Sequence, residues 1–334
     1  LPCCAHMADA HRKSAWLCSY ATLRHTCCSM NTDSVLFHTG ELQAHALAGT
    51  GTPGAAIRNY MPEQHRQFFA MLRFMFLATT DADGWPVATI VTGPQGFLST
   101  PDQYHLQIAA SAHWQNTSQP LFVPDKKIGM LGIDFSTRRR NRANGIIKAI
   151  DHAGLSIAVD QSFGNCPKYI QSRDVHDAAN VQPTLIAQDF TELNDDARRI
   201  ISKADTFFVA TTSAQNEAHA GGTDISHRGG MPGFIRIDGN TLTVPDFMGN
   251  RYFNTLGNML VEPRAALLFI DFTTGDLLHL QGTTEILWQS DETSHLAGAE
   301  RLWRFHITRG WKKANAIPLR WSLREMAATT ERTG

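Results

Sequence analysis

Apolar residues in this chain gather in short runs. Phe74–Thr79, Pro86–Thr92, Gly96–Ser99 and Tyr104–Ile108 form one set, and Thr206–Thr211, Phe234–Ile237 and Thr241–Val244 a second; all are bounded by Gly, Pro, Asp or Asn. Runs of that length between turn residues predict strands. Asp81-Ala-Asp-Gly84 and Asp238-Gly239-Asn240 fit hairpin turns, for which Asp-Gly is a favoured dipeptide. Helical spacing is rarer. Pro62–Leu72 opens on proline and an acid before apolar residues at helical spacing, and Asn194-Asp-Asp-Ala offers an N-cap with two acids in the first turn. Asn250–Val261 is the clearest inner helix. The class predicted is mostly β with some α (α+β): two small antiparallel barrels, each opened by a helix and then a strand.

The chain also repeats itself. Ile128-Gly-Met-Leu-Gly-Ile-Asp-Phe-Ser-Thr137 resembles Ala265-Ala-Leu-Leu-Phe-Ile-Asp-Phe-Thr-Thr274 at an offset of 137, and the same register carries Gly93 to Gly230, Gly96-Phe97 to Gly233-Phe234 and Gly145 to Gly282. Upstream, Leu77-Ala-Thr-Thr80 matches Val209-Ala-Thr-Thr212 at an offset of 132, which places a five-residue insertion in the second copy before Gly230. The expected organisation is therefore an N-terminal extension at 1–29, a first barrel at 30–172, a polar linker at 173–193 containing Pro183, and a second barrel at 194–334. Trp303, Trp311 and Trp321 are expected to pack back onto the second barrel.

Composition narrows the options. The formal charge is -1 and charged residues make up 18%, without a long block of one sign, so neither nucleic acid nor an anionic membrane is an expected partner. No apolar run approaches the roughly 18–20 residues of a membrane helix. A cytoplasmic location is expected. Five of the six cysteines lie in the first 28 residues. Cys3-Cys4 and Cys27-Cys28 lack the two-residue gap with which paired sulfurs usually reach one ion, and no metal is expected. That opening segment reads as a disordered appendage, with Met30 as a natural start.

Gly49-Thr-Gly-Thr-Pro-Gly54 spells GxGxxG, but no strand precedes it and Pro53 would interrupt a helix continuing from it, so it reads as a turn. Ser226-His-Arg-Gly-Gly-Met-Pro-Gly-Phe234 and Pro245-Asp-Phe-Met-Gly-Asn-Arg-Tyr-Phe-Asn254 are stronger. A strand ending in a cation, then a glycine turn and a second cation at a helix start, suits a phosphomonoester, because helix-terminal amides and guanidinium forks both favour that anion. Arg228 and Arg251 would flank it, Gly249 would let the backbone approach, and Asn250 would add neutral donors. The same residues also read as solvated arginines and plain turns.

In that order these motifs, followed by Gly-Asn-Met and Leu-Leu-Phe-Ile-Asp-Phe, resemble the flavin-binding split barrels related to pyridoxamine 5'-phosphate oxidase. Residues 37–325 resemble its tandem-barrel subgroup, beginning at Phe37-His-Thr-Gly-Glu41. The resemblance implies two FMN-binding split β-barrels in tandem, a pseudo-dimer within one chain that could itself form a homodimer, and an FMN-dependent oxidoreductase acting on a small-molecule substrate with an electron donor. It implies cofactor contacts at Ser226, His227, Arg228, Asp246, Gly249, Asn250 and Arg251, with Asp246 and Gly249 shaping the turn. It names no catalytic residue. The basic residues that hold the substrate phosphate near the C-terminus of the oxidases proper are not recognised in this chain, where Arg320-Trp321 is only a partial echo. The alternative within the same fold is a non-catalytic module that holds flavin (FMN or FAD) or haem for storage, delivery or sensing, with His227 or His279 as ligand.

In the first copy, Arg138-Arg-Arg-Asn-Arg-Ala-Asn-Gly145 stands where the second has Gly275-Asp-Leu-Leu-His-Leu-Gln-Gly282. Strand alternation places Arg138, Arg140 and Arg142 on one face and Arg139 on the other. That face reads as a second anion site, for an acidic substrate, a nucleotide tail or the flavin phosphate across the barrel interface, or as a charged edge strand that discourages aggregation. Cys166, before Pro167, reads as a small packed residue or a redox thiol. His38 with Glu41 either caps a segment or lines a pocket.

Overall fold

The computed structural model describes residues 36–53, 56–110, 121–178, 187–213 and 221–333, and the sequence expectations for 1–29, including its cysteines, lie outside them. Residues 32–334 fall into one compact unit. Two antiparallel sheets carry it. The first contains β1 (Phe74–Thr80), β2 (Pro86–Thr92), β3 (Leu98–Ser99), β4 (His105–Ala109), β5 (Lys127–Asp134), β6 (Arg139–Asp151) and β7 (Gly154–Asn165), in the order 2-1-5-6-7-4-3. The ribbon strand β8 (Ser172–Asp177) and the short β9 (Gln188–Phe190) come next; β8 and β9 fall almost wholly in the stretch read as linker. The second sheet contains β10 (Thr206–Thr212), β11 (Thr223–Gly229), β12 (Arg236–Asp238), β13 (Thr241–Phe247), β14 (Arg264–Ile270), β15 (Leu277–Leu287) and β16 (Ala299–Lys313), in the order 11-10-14-15-16-13-12. Counted from its first strand, the second order is the same as the first. β9 extends it alongside β16, and β17 (Leu319–Glu325) pairs with β8 in a separate ribbon.

The repeated glycines explain part of that likeness. Gly145 and Gly282 both sit at β-bulges, between Asn144 and Gly145 on β6 and between Gln281 and Gly282 on β15. A Cβ at Gly145 would lie 2.0 Å from the Ala158 carbonyl oxygen, and one at Gly282 would lie 2.2 Å from that of His306. Only glycine lets the neighbouring strand come so close.

Strands buried on both faces account for the unbroken apolar runs. Met75 and Leu77 of β1 enter a core inside the first sheet, together with Phe69, Met130 and Ile157. Phe74, Phe76 and Ala78 face the other way, into a core shared with Phe208, Ile225, Leu268 and Trp321 of the second half. Phe207, Val209, Phe269, Trp303 and Phe305 form the third core, inside the second sheet. At the shared core Phe76 stacks on Phe208 with ring centroids 3.6 Å apart, and these two hold equivalent places in their sheets. The three tryptophans divide differently from expectation: Trp303 enters the core inside the second sheet, Trp311 stacks on His279, and Trp321 packs between the halves against Phe74 and Phe272.

Among the described residues four α-helices frame the sheets: α1 (Thr39–Leu47), α2 (Glu63–Met71), α3 (Asp195–Lys203) and α4 (Asn254–Val261). His38 and Glu41 form a capping box at the start of α1. Asn194 caps α3 by accepting the Ala197 amide at 2.9 Å. α1 crosses α4 at a glycine pair: a Cβ on Gly40 would lie 2.1 Å from the Gly257 carbonyl oxygen.

Candidate functional site

A cleft opens where β6 of the first half faces β11, β13 and the start of α4 in the second. Arg140 and Arg142 project from β6; Cys166, Lys168 and Tyr169 lie just beyond β7; Ser226, His227 and Arg228 come from β11; Asp246 from β13; Gly249–Arg251 and Phe253 from the connection into α4 and Asn254–Leu256 from its first turn; Glu300 and Arg301 from β16. Six cationic side chains and two carboxylates line it. The excess of positive charge is local in a chain of net charge -1, which is what an anion site in a near-neutral protein requires.

Asp246 organises the strand side. Its two oxygens accept Arg228 Nη1 at 2.5 Å and Arg301 Nη1 at 2.8 Å, the latter from its cross-strand partner on β16. Arg301 also donates to Glu300 at 3.1 Å and lies over the rings of Phe253 and Trp288. Arg251 is half-exposed at the rim, with Glu300 3.7 Å away. Arg228 and Arg142 each have a buried Nε with no partner among the described residues, and a buried donor left unpaired is costly until an acceptor arrives. The amides of Gly249, Asn250 and Arg251 also donate to no acceptor among the described residues.

Beneath the cleft runs a buried polar network. Arg142 donates to Asp224 at 3.3 Å, to Asn254 Oδ1 at 3.4 Å and to the Ser226 hydroxyl. Asp224 also accepts from Asn144 at 2.8 Å and Asn258 at 3.1 Å. Glu41 of α1 completes the chain, accepting from Asn254 Nδ2 at 2.5 Å and from the His38 amide at 3.0 Å. Burial, and then the negative charge of Asp224, push the Glu41 carboxyl up to about 8, so it is protonated at neutral pH. Arg140 donates from Nε to the Cys166 carbonyl at 3.0 Å and from Nη1 to His227 Nδ1 at 3.2 Å. Burial and that guanidinium hold His227 well below the usual histidine range. Since arginine only donates, His227 Nδ1 accepts, and the ring proton of neutral His227 sits on Nε2.

Three non-glycine residues of the cleft adopt left-handed backbone: Tyr169 at φ 63°, Arg251 at 59° and Phe253 at 57°. Such conformations cost roughly 1–3 kcal/mol each and gather at functional sites.

All seven residues expected around the phosphate (Ser226, His227, Arg228, Asp246, Gly249, Asn250 and Arg251) line this one cleft. Two features differ from expectation. Asp246 is an ion-pair hub at the end of β13 rather than a turn former, and Asn250-Arg251 stands in a loop because the left-handed residues 251 and 253 delay α4 to Asn254. Of the arginine trio, Arg140 and Arg142 line the cleft and Arg138 does not. Arg138 lies in the left-handed turn before β6, where strand alternation has not begun, and its side chain goes to Glu325 at 2.6 Å and the Ile170 carbonyl at 3.0 Å. Arg139 points away, over the Phe68 ring. Cys166 is on the wall. His279 is not among the lining residues: it is buried, stacked on Trp311, with Nδ1 3.1 Å from the Ala88 carbonyl, to which it donates. Arg320 serves its own turn, donating to the carbonyls of Ile317 and Leu319 and to Asn315. Sequence reasoning missed Arg301, Glu300, Lys168 and Tyr169; Arg301 reaches the site through the β13–β16 ladder, for which no local signal exists. Among the described residues no cluster of His, Cys, Asp or Glu is arranged to hold a metal ion, and no helix is long and apolar enough to cross a membrane.

Fold and site together define a mostly β protein with a cation-lined cleft between two antiparallel sheets. Residues 193–320 match the family model described as pyridoxamine 5'-phosphate oxidase. Among solved structures, the chain is similar to HupZ of Group A Streptococcus (14% identity, 41% of this chain and 98% of that one, TM-score 0.28) and to an FAD-binding protein of Mesorhizobium loti (11%, 39% and 98%, TM-score 0.27). It is also similar to a Clostridium acetobutylicum protein related to general stress protein 26, of the pyridoxinephosphate oxidase family (14%, 38% and 92%, TM-score 0.24). No curated protein matches the chain.

Proposed function

We propose that the chain is an FMN-dependent oxidoreductase of the pyridoxamine 5'-phosphate oxidase-like family, built as two split barrels in tandem (30–172 and 194–334, joined by 173–193) that act as a pseudo-dimer. The observation that carries this reading is the cleft's set of donors without a partner among the described residues, the buried Arg228 Nε and Arg142 Nε and the backbone amides of residues 249–251, in a wall with six cations and two acids. Arg228, Asn250 and Arg251 would hold the phosphate, with Asp246 fixing Arg228; Ser226 and Gly249 border it. Arg140 and Arg142, from the other half, offer the second anion face, for the same phosphate or an acidic group on the substrate. A bound flavin would supply the hydride or electron transfer itself, while the protein orients it and limits access. His227 stays neutral and lines the wall as a polar group.

No observation favours the haem or carrier alternative. A haem ligand needs a free imidazole lone pair, and in His227 the lone pair on Nδ1 is occupied by Arg140. Vitamin B6 oxidation has no support either, since Arg320 is held within its turn.

The test is the absorbance spectrum of protein reconstituted with FMN, compared with the R228A/R251A double variant. Flavin bands retained through gel filtration by the parent and lost by the variant support the reading. A parent that rejects FMN ends it. Bleaching of bound flavin by a nicotinamide donor, with recovery in air, separates oxidoreductase from inert carrier.

A further inference from the structure

We infer that helix α1, which precedes the first sheet in sequence, positions the ligand-facing loop of the second half, and that His45 is the positioning residue through which it does so. This rests on the phosphate reading of the cleft.

The loop from Met248 to Phe253 is a conformation the chain would not hold alone, with both Arg251 and Phe253 left-handed. Two side chains from the N-terminal half hold its carbonyls. His45 Nε2 donates to the Arg251 carbonyl at 2.8 Å, and the Tyr169 hydroxyl donates to the Met248 carbonyl at 3.2 Å. In a trans peptide the carbonyl and the following amide point in opposite directions. Pulling the Met248 carbonyl toward Tyr169 therefore turns the Gly249 amide, one of the unbonded donors, to the other side. Holding the Arg251 carbonyl likewise fixes the peptide between Arg251 and Tyr252, whose amide bonds the Asn250 side chain at 3.2 Å.

His45 is itself rigid. It is 3% exposed, with its ring edge-on to Phe37 at 5.0 Å and to Phe253 at 5.3 Å. α1 is locked to α4 by the Gly40–Gly257 crossing and by Glu41 on Asn254. A carbonyl only accepts, so Nε2 carries the proton in this contact. The loop that presents Asn250 and Arg251 is thus braced by a helix more than 200 residues away in sequence.

Three variants test this: H45F keeps the packed ring and deletes the donor, H45Q replaces the Nε2 donor, and Y169F deletes the second hydroxyl. Two readouts are needed: exchange of the Tyr252 amide, the loop amide bonded to the Asn250 side chain, in ligand-free protein, and FMN affinity by flavin fluorescence titration. Losing one such hydrogen bond should raise loop exchange and weaken FMN by about tenfold in H45F, with H45Q near the parent. Unchanged loop exchange in H45F overturns the brace. Faster exchange with unaltered FMN affinity overturns its role in binding. A parent that ignores FMN instead overturns the cofactor reading, and the ligand half of this inference falls with it.

Discussion

Replacing Glu41 by glutamine should remove a specific pH dependence from the protein's stability. Glu41 is 2% exposed and its carboxyl is raised from 4.5 to about 8, first by burial and then by the charge of Asp224. The sign comes from proton counting. Between pH 4.5 and 8 the folded chain keeps a proton on Glu41 that the unfolded chain has lost, so stability falls as pH rises through this window and levels off above about 8. Integrating that difference from pH 5 to pH 7 gives a loss of about 2.5 kcal/mol from this one group. Glutamine mimics the protonated acid in charge but not in hydrogen bonding, because in either orientation its amide nitrogen faces a donor, Asn254 Nδ2 or the His38 amide; the variant is therefore less stable at pH 5. The diagnostic quantity is the change in the stability difference with pH. Urea unfolding followed by tryptophan fluorescence, on parent and E41Q at pH 5, 6 and 7, should show E41Q gaining about 2.5 kcal/mol relative to the parent across the range. A difference that stays constant to within about 0.5 kcal/mol would mean that Glu41 is ionised in the native state, and the description of the network under the cleft would be wrong.

F208A should destabilise the chain by about 3–5 kcal/mol, since it empties a fully buried position whose ring stacks on Phe76; a loss below about 1 kcal/mol in the same urea assay would contradict a packed interface between the halves. G145A places a Cβ 2.0 Å from the Ala158 carbonyl oxygen and should lower the thermal midpoint, with G282A doing the same at the equivalent bulge. An alanine tolerated at either position would show that the bulge is not held as described.

The strands were legible because both-face burial leaves an unmistakable apolar run: Phe74–Thr79 and Thr206–Thr211 are each one residue short of the strands they became. The internal offset was legible because equivalent glycines sit where only glycine fits. The site was legible as residues but not as geometry. Ser226, His227 and Arg228 alternate along a strand that sequence marks well, whereas Asn250-Arg251 resembles a helix start and becomes a loop, because two left-handed residues postpone α4. That conformation depends on His45 and Tyr169, which are remote in sequence. Arg138 misled for the opposite reason: alternation was read one residue beyond the strand end. Arg301 could not be assigned, since its role comes from ladder pairing; Glu41 was readable as a cap, which it is, but its contact with Asn254 comes from a helix crossing.

The pseudo-dimer proposed above brings a question of number, because two equivalent halves should make two equivalent clefts. Pairing registers fix which residues correspond. Val209 faces Ser226 as Leu77 faces Thr89, so the counterparts of Ser226, His227 and Arg228 are Thr89, Ile90 and Val91. Ile133 faces Arg140 and Leu131 faces Arg142, as Ile270 faces Leu277 and Leu268 faces His279. The second cleft would therefore offer Ile90, Val91, Leu277 and His279 where the first has His227, Arg228, Arg140 and Arg142. These residues are buried, and burial with the nearby Lys313 charge takes the His279 pKa down to about 3, so it too is uncharged. Moving a phosphate dianion into such a wall would cost several kcal/mol, since none of the four replacing residues carries a charge to offset it. One half of the symmetric pair has thus become packing and the other has kept the charge, and the chain should bind one FMN. Absorbance of the reconstituted protein against its peptide concentration measures this directly; a ratio of two flavins per chain would refute the correspondence.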